Sequence, residues 1–455
     1  MIDAGMNVVR IALAHGDLDG AVGRFRLVRS VAAERASTPV GILIDLPGPK
    51  LRTGAFPEGG SWLASGGLVR VVPDSGPSTG ERITVEHPDL VSDVRVGDRL
   101  AFGDGQVMVE VRDRDSDGLL GEVLHGGRLQ GRPGVAIPSE RTQFGTPTAT
   151  DLRLLDVFLE LGVDMVAVSF VRSAADIHAL HTQPHPDGPL VVAKIETKIG
   201  VENLEEIIEV AGAVMIARGD LGIECPIEDL PHIQKRIIST CVHYGRPMIT
   251  ATQMLESMVH APTPTRAEAS DVANAVLDGT SAVMLSAETA IGHDPVLAVR
   301  TMALLVARAD QEFNSRAWGE AVRDHDAERI RSDADVITDA VTEAAWQAAI
   351  ELEAAAIICW SGTGHTVRAM ARFRPRAMLL GLSSHTRTVR QLSLSWGAIP
   401  IEVADARNEQ EATERGLAVA LEAGYVKTGD TVVVVSGSAQ RGRRVSDSLR
   451  LLRVN

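Results

Sequence analysis

Three segments of the chain each place charged or hydroxyl-bearing residues directly after an apolar run. These residues are Lys194 and Glu196, then Arg218, Gly219 and Asp220, and finally Thr252 and Gln253. Two carboxylates at neighbouring strand ends are suitable hard oxygen ligands for Mg²⁺ or Mn²⁺. A lysine beside them can offset negative charge on a transferring phosphoryl group or an enolate. Each segment alone is more often a surface ion pair, but their joint placement favours a metal-assisted active site.

The elements that must position these residues are seven apolar runs rich in Val and Ile, which alternate with stretches of helical length. The runs are residues 8–13, 40–46, 165–170, 190–195, 213–218, 247–253 and 281–288. Such runs are typical of parallel strands buried on both faces, and polar strand ends are typical of the active-site rim of a (β/α)8 barrel. We therefore predict a TIM barrel formed by residues 1–53 and 147–325. Because such a barrel has eight strands, we expect its first strand to lie before Met1.

Two further domains are predicted from changes in composition. Residues 54–146 are rich in Gly and Asp and contain short alternating strands, which predicts a small inserted β-barrel domain, here called the lid. Residues 318–335 are polar and indicate a linker or surface helix. Helical and strand patterns then alternate through residues 326–455, which predicts an open α/β domain at the C-terminus. A Gly-rich turn in it, residues 361–366, could bind an anion on its backbone N–H groups or simply join a strand to a helix.

Composition excludes several classes of function. The net charge is -15 and no Lys/Arg stripe interleaved with aromatic residues occurs, which argues against a nucleic-acid partner. The three cysteines form no C-x-x-C pair, so neither a disulfide framework nor a thiolate zinc site is indicated. No apolar run reaches the roughly 18 residues of a membrane-spanning helix. We expect a cytoplasmic protein without a membrane partner.

Longer strings resemble the pyruvate kinase family over almost the whole chain. They are GMNVVRIALAHG (5–16), DLPGPKLRTG (45–54), SFVRSAAD (169–176), PTPTRAE (262–268), SDVANAVLDGTSAVMLSAETA (270–290) and RQLSLSWGAIP (390–400). The resemblance implies an enzyme of glycolysis that transfers a phosphoryl group from phosphoenolpyruvate to ADP, giving pyruvate and ATP. It also implies Mg²⁺ or Mn²⁺ as cofactor, a homotetramer, and a sugar-phosphate or other anionic effector at residues 361–366.

The resemblance assigns roles on the phosphoenolpyruvate side of the site. Lys194 would support phosphoryl transfer and bind the substrate, and Glu196 and Asp220 would hold the divalent metal. The amides of Gly219 and Asp220 would bind the substrate carboxylate at a helix start, where N–H groups are available. Thr252 would help to protonate the enolate.

On the nucleotide side, the resemblance implies that Arg10, His15 and Arg52 face the phosphates, with Arg10 also catalytic. The chain departs from the family pattern there. The family string R-L-N-F-S-H-G corresponds to RIALAHG (10–16), and K-G-V-N-L-P corresponds to PGVAIP (133–138), so that a lysine and other polar groups are missing. The arginine at position 132 could replace that lysine.

The monovalent-cation site departs furthest from the family. Of the asparagine, serine, aspartate and threonine that hold K⁺ in many members, only Asp45 remains, and the other positions are Ala12, Ala14 and Leu46. A family glutamate is replaced by Lys50. Its ammonium could pair with Asp45 and supply the charge that K⁺ supplies elsewhere, or it could point to solvent. We expect an enzyme that does not require K⁺.

Three functions remain open at this point. The first is an active pyruvate kinase. The second is an impaired or regulatory homologue that binds phosphoenolpyruvate and metal but uses nucleotide poorly, as the departures on the nucleotide side suggest. The third is a metal-dependent lyase or aldolase on the same barrel. The lid and the C-terminal domain argue against the third, because a lyase needs no lid that closes over nucleotide phosphates.

Overall fold

Seven parallel strands form the sheet of the predicted barrel in the computed structural model, which describes the chain except residues 36–38, 104, 142–143, 185, 327–332 and 441–442. The strands are β1 (Val8–Ala12), β2 (Gly41–Asp45), β3 (Met165–Val168), β4 (Leu190–Ile195), β5 (Ala213–Ala217), β6 (Met248–Ala251) and β7 (Ala282–Met284). They pair in sequence order. All seven predicted strands are therefore confirmed, and β1 and β7 are the two ends of the described sheet.

Side chains of these strands alternate between the barrel interior and the surrounding helices, which explains the uninterrupted apolar runs. In β2, Leu43 packs inside the barrel while Ile42 and Ile44 pack outward. The packing helices are Leu18–Ala33, Ala149–Glu160, Ala174–His178, Lys198–Glu202, Leu204–Val210, Arg218–Glu224, Leu230–His243, Arg266–Asp278, Ala287–Ala290 and Pro295–Glu312. Capping boxes precede the helices Ala149–Glu160 and Arg266–Asp278 among others, formed by Thr148 with Asp151 and by Thr265 with Glu268.

The lid is built almost entirely from short strands around its own apolar core. The strands are Leu51–Arg52, Ser61–Leu63, Leu68–Pro73, Arg82–Val85, Arg99–Phe102, Val107–Asp115, Gly118–His125, Gly127–Leu129 and Gly134–Ala136. Leu51–Arg52 pairs antiparallel with Gly134–Ala136, so the two chain crossings between barrel and lid lie side by side. The lid sheet thus begins at Leu51, slightly before the predicted boundary at residue 54.

The C-terminal domain is the predicted α/β layer structure. Its strands are Ala356–Trp360, Met378–Ser383, Ala398–Glu402, Thr431–Gln440 and Arg443–Arg453, all parallel except the last, which is an antiparallel edge strand. Its helices are Asp333–Glu351, His365–Ala371, Thr386–Leu392 and Glu409–Glu422. The predicted polar linker begins in the helix Ser315–Asp326 and continues into residues outside the described part of the chain. None of the described helices combines the length and hydrophobicity needed to cross a bilayer.

Candidate active site

Lys194, near the end of β4, is the centre of a buried cluster of charged side chains. Its ammonium donates a hydrogen bond to Ser169 Oγ at 2.7 Å and lies 2.8 Å from Glu196 Oε1 and 3.2 Å from Asp45 Oδ1. Burial alone would lower the pKa of Lys194, but the two carboxylates outweigh it and raise the pKa above its ordinary value. The ammonium is therefore a fixed positive charge at the C-terminal edge of the barrel.

Glu196 is buried, and burial raises the pKa of its carboxyl to about 7 against the opposing effect of Lys194, with the nearby charge of Asp220 adding to the rise. Oε2 accepts a hydrogen bond from the Phe170 N–H at 2.7 Å. Oε1 is buried and accepts no hydrogen bond of good geometry, although Lys194 is close. A further cation near this oxygen would stabilise the ionised form of the Glu196 carboxyl.

The donor set fits a hard divalent ion that shares its coordination with a substrate. Asp220 lies in the same cleft as Glu196, is partly exposed, and makes no hydrogen bond or ion pair with the residues that the structure describes. Within the described part of the chain, no group of three or more His, Cys, Asp or Glu side chains could hold a metal alone. Two carboxylates that leave positions for substrate oxygens are the arrangement that Mg²⁺ prefers.

Asp45, at the end of β2, is compensated by two cations from other strands of the barrel. Arg10 on β1 donates from Nε to Asp45 Oδ2 at 2.6 Å, and Lys194 lies on the other side. Burial would raise the pKa of Asp45, but these two charges outweigh it and lower the pKa. The predicted pair with Lys50 is not among the contacts of Asp45 in the described structure. Lys50 follows a Pro-Gly-Pro turn and instead lines the cleft beside Glu196 and Asp220.

The turn after β6 has an unusual backbone that the sequence did not indicate. Thr252 and Gln253 have φ values of 67° and 54°, in the left-handed region that residues other than Gly rarely adopt. Arg218 donates to the carbonyls of both, at 2.6 and 3.3 Å, and its guanidinium is held by Asp271 at 2.7 Å. Arg218 is therefore a positioning residue for this turn.

Gly219 and Thr252 contact each other. The Gly219 N–H donates to Thr252 Oγ1 at 2.9 Å, and that hydroxyl donates to the Ala251 carbonyl at 2.6 Å. The amide expected to bind the substrate carboxylate is thus bonded to Thr252 in this state. Substrate binding through Gly219 requires the Thr252 hydroxyl to move away.

The residues predicted to face the nucleotide lie on three separate elements and do not form a cluster like that around Lys194. Arg10 is at Asp45, His15 is exposed in the loop after β1, and Arg52 lies in the lid sheet, where its Nη1 donates to the Arg132 carbonyl at 3.3 Å. Arg132, considered above as a replacement for a family lysine, pairs with Glu86 at 2.5 Å on the lid surface. Arg132 is therefore paired on the lid surface and is not among the residues that line the cleft.

A cleft separates the barrel from the lid. The barrel contributes Phe170, Glu196, Thr197, Asp220, Ile223 and Glu224, and the lid contributes Ala101, Gly134, Val135, Ala136 and Ile137. The lid is fastened at its C-terminal crossing, because Ser139 donates to Glu224 through both its N–H (3.1 Å) and its Oγ (2.6 Å). Sequence reasoning missed this contact, for which the chain carries no local signal.

A parallel barrel with a charged lysine and two available carboxylates at its C-terminal edge, under a β lid, defines the class of this protein. It is an enzyme for metal-assisted phosphoryl or enolate chemistry.

Comparisons with known proteins identify the family. The model of the pyruvate kinase barrel domain matches residues 1–299, and that of the pyruvate kinase alpha/beta domain matches residues 339–452. The chain is 38% identical to a pyruvate kinase of Geobacillus stearothermophilus, over 96% of this chain and 74% of that one. It is 37% identical to a pyruvate kinase of Clostridium acetobutylicum, over 96% and 91% of the two chains. A crystal structure of a pyruvate kinase from Cryptosporidium parvum superposes with a TM-score of 0.90 at 29% identity, covering 100% of this chain and 92% of that chain. The chain therefore belongs to the pyruvate kinase family, whose members are phosphotransferases.

Proposed function

We propose that the chain transfers the phosphoryl group of phosphoenolpyruvate to ADP, giving pyruvate and ATP, with Mg²⁺ or Mn²⁺ as cofactor. The observation that carries the proposal is the position of two carboxylates, Glu196 and Asp220, in the cleft under the lid, with the Lys194 ammonium 2.8 Å from Glu196. The similarity to pyruvate kinases over 96% of the chain supports the same reaction.

In the proposed reaction, an oxygen of the terminal phosphate of ADP forms a bond to the phosphorus of phosphoenolpyruvate. The bond from phosphorus to the bridging oxygen breaks, which leaves the enolate of pyruvate, and C3 of the enolate then takes up a proton. Lys194 stabilises the negative charge on the phosphoryl group and on the enolate oxygen. Glu196 and Asp220 would hold the divalent metal, which would supply further positive charge when bound. Asp45 and Ser169 position the Lys194 ammonium.

Proton delivery and carboxylate binding share the turn after β6. The Gly219 and Asp220 amides bind the substrate carboxylate once Thr252 releases Gly219. The freed Thr252 hydroxyl turns from the Ala251 carbonyl toward the enolate and takes part in its protonation. Arg10, His15 and Arg52 contact the nucleotide phosphates as the lid closes.

The test is a pyruvate-release assay coupled to lactate dehydrogenase, with phosphoenolpyruvate, ADP and Mg²⁺. Pyruvate should form only when ADP and the metal are both present, and Lys194→Met should remove the activity. Pyruvate release without ADP would indicate a lyase. Phosphoenolpyruvate binding without ADP-dependent turnover would indicate an impaired homologue. Either result contradicts the proposal.

The finer properties are part of the same proposal. Lys50 lies in the cleft beside Glu196 and Asp220, where its ammonium could replace K⁺, so the reaction proceeds without a monovalent cation.

The family resemblance supports a cytoplasmic homotetramer with an anionic effector at residues 361–366. Size-exclusion chromatography with light scattering tests the tetramer, and a titration of phosphoenolpyruvate with and without a sugar phosphate tests the effector.

A further inference from the structure

A second cavity lies on the face of the barrel opposite the cleft. Its barrel wall includes Pro247 and Ser281, which immediately precede β6 and β7. Its other wall belongs to the C-terminal domain, at helix His365–Ala371 and at the segment after helix Thr386–Leu392. Four arginines line this cavity: Arg246, Arg368, Arg372 and Arg374.

Two of the arginines face a carboxylate. Arg372 pairs with Asp339 at 2.7 Å, and Arg374 lies 3.9 Å from Asp310. Arg368 has no carboxylate within 4.0 Å among the described residues. Since only 6% of Arg368 is exposed, water does not compensate its charge either.

The guanidinium of Arg368 is only partly satisfied by hydrogen bonds. Nη2 donates to the Thr363 carbonyl at 2.9 Å, whereas Nε and Nη1 are buried and have no acceptor in the described structure. Burial lowers the pKa of Arg368 to about 9, and the like charge of Arg246 adds to the effect. The side chain nevertheless remains charged at neutral pH, and a buried unpaired charge of this kind is costly.

A second buried donor lines the same cavity. Ser395 is 7% exposed, and its hydroxyl has no hydrogen-bond partner among the described residues. Arg246 and Arg368 on the two walls of the cavity, together with the unsatisfied Ser395 hydroxyl, match the charge and the donors that an oxyanion requires.

We propose that the second cavity binds a phosphate group, either as inorganic phosphate or as part of a small phosphorylated molecule. Arg368 and Arg246 hold its charge from opposite sides, and Ser395 donates a hydrogen bond. Since Arg246 belongs to the barrel and Arg368 to the C-terminal domain, the bound anion bridges the two domains. The Arg368 guanidinium contacts the turn at residues 361–366 through the Thr363 carbonyl, but none of the residues of that turn lines the cavity, so the two sites are distinct.

The test compares the binding of inorganic phosphate by the unmodified protein, Arg368→Met, Ser395→Ala and Lys194→Met, using isothermal titration calorimetry without divalent metal. Binding should be equal in the unmodified protein and Lys194→Met, because the active-site cleft is not involved. It should weaken at least about tenfold in Arg368→Met and several-fold in Ser395→Ala, since each loses a donor to a charged group. In phosphate-free buffer, Arg368→Met should melt no lower than the unmodified protein, because the substitution removes an uncompensated charge.

Three results would overturn the proposal: unchanged affinity in Arg368→Met, a loss confined to Lys194→Met, or a loss in Arg368→Met with none in Ser395→Ala. The last would place the anion at the turn of residues 361–366. If Arg368→Met does not fold, the test uses Arg368→Lys and Ser395→Ala instead. Unchanged affinity for phosphate in both variants would contradict the proposed site. A parallel titration with glycerol phosphate separates the sources: equal binding supports a phosphorylated metabolite, and binding of inorganic phosphate alone supports the free ion.

Discussion

At the scale of single residues, the active-site cluster concentrates charge where water is scarce. Lys194, Glu196 and Asp45 are each less than a tenth exposed. Their mutual ion pairs offset part of the desolvation cost, but burial still raises the pKa of Glu196 to about 7. A divalent metal held by Glu196 and Asp220 would lower that pKa again. The cluster is thus arranged to be completed by a cation and a substrate.

Replacing Asp220 by Asn should abolish most activity and leave the fold intact. The carboxylate has no partner among the described residues, so no structural contact is lost, whereas a negative ligand for a hard cation disappears. We expect kcat/KM to fall by roughly two orders of magnitude or more at fixed Mg²⁺. Steady-state kinetics over a range of Mg²⁺ concentrations and a thermal melt check this. The control is Asp229→Asn, at an exposed position directly before helix Leu230–His243. Near-normal turnover of Asp220→Asn at low Mg²⁺ would refute the metal assignment.

Gly219→Ala should separate substrate binding from stability. A Cβ at Gly219 would lie 3.7 Å from Thr252 Oγ1, an ordinary contact, and alanine in a helix is favoured over glycine by about 1 kcal/mol. The fold should therefore be as stable as before. The added methyl group should hinder the approach of the substrate carboxylate, so KM for phosphoenolpyruvate should rise while KM for ADP changes little. An unchanged KM for phosphoenolpyruvate would remove Gly219 from the binding site.

Activity should not depend on K⁺, and Lys50→Glu should lower it. Lys50 lines the cleft, and Ala12 and Ala14 offer no side-chain oxygen to a monovalent ion. Rates in a tetramethylammonium buffer should match those with added K⁺, and K⁺ should restore Lys50→Glu poorly. A several-fold stimulation of the unmodified protein by K⁺ would contradict this expectation.

The sequence located Lys194, Glu196 and Asp220 because their position at strand ends is a local property. It did not reveal that Arg218 holds the carbonyls of Thr252 and Gln253, or that both adopt positive φ. These contacts join segments more than thirty residues apart, and a single sequence carries no direct record of such pairings.

At the scale of elements, the lid depends on a few contacts at its crossing. The strands Leu51–Arg52 and Gly134–Ala136 hold the two crossings together. Beyond them, Glu224 at the end of helix Arg218–Glu224 accepts hydrogen bonds from Ser139 and from the Lys198 N–H. This one carboxylate thus connects the lid crossing to the helix that carries Asp220.

Ser139→Ala should loosen the lid without unfolding it. The substitution removes the 2.6 Å bond from Oγ to the Glu224 carboxylate, and a hydrogen bond to a charged group contributes about 1.5–3 kcal/mol. Amides in residues 134–141 should exchange faster with deuterium, while those of the barrel strands stay protected. Ser116→Ala, in an exposed lid turn, is the matched control. Equal protection of residues 134–141 in both variants would show that the contact does not restrain the lid.

The strands of the barrel were predictable because each is a short and mostly apolar run. The ends of the strands were harder to predict. The runs 247–253 and 281–288 extend beyond the observed β6 and β7. Their last residues belong to turns that carry site residues, and apolar composition alone does not mark where hydrogen bonding to a neighbouring strand stops.

At the scale of the whole molecule, buried polar contacts join the C-terminal domain to the barrel. Gln391 donates to the Asp164 carbonyl at 3.0 Å, and Trp318 donates from Nε1 to the Arg372 carbonyl at 2.7 Å. Arg374 at the same junction is also enclosed, with 2% of its surface exposed. Its guanidinium donates to the carbonyls of Val276 (2.9 Å) and Thr280 and lies over three aromatic rings, those of Phe313, Trp318 and Trp396.

Arg374→Met should therefore weaken the junction between the domains more than any exposed substitution nearby. Burial lowers the pKa of Arg374 to about 10, which still leaves the side chain charged at neutral pH, so its cation–π contacts and hydrogen bonds are present under ordinary conditions. Methionine fills much of the same space but leaves two buried carbonyls without donors. We expect a loss of about 3–5 kcal/mol, the usual result of removing one partner from a buried charged network. Denaturant unfolding followed by tryptophan fluorescence measures it, because two of the contacting rings are tryptophans. Arg376→Met, two positions away and exposed, should unfold like the unmodified protein. Equal midpoints for the two variants would mean that the junction is held by apolar packing and that the Arg374 contacts contribute little.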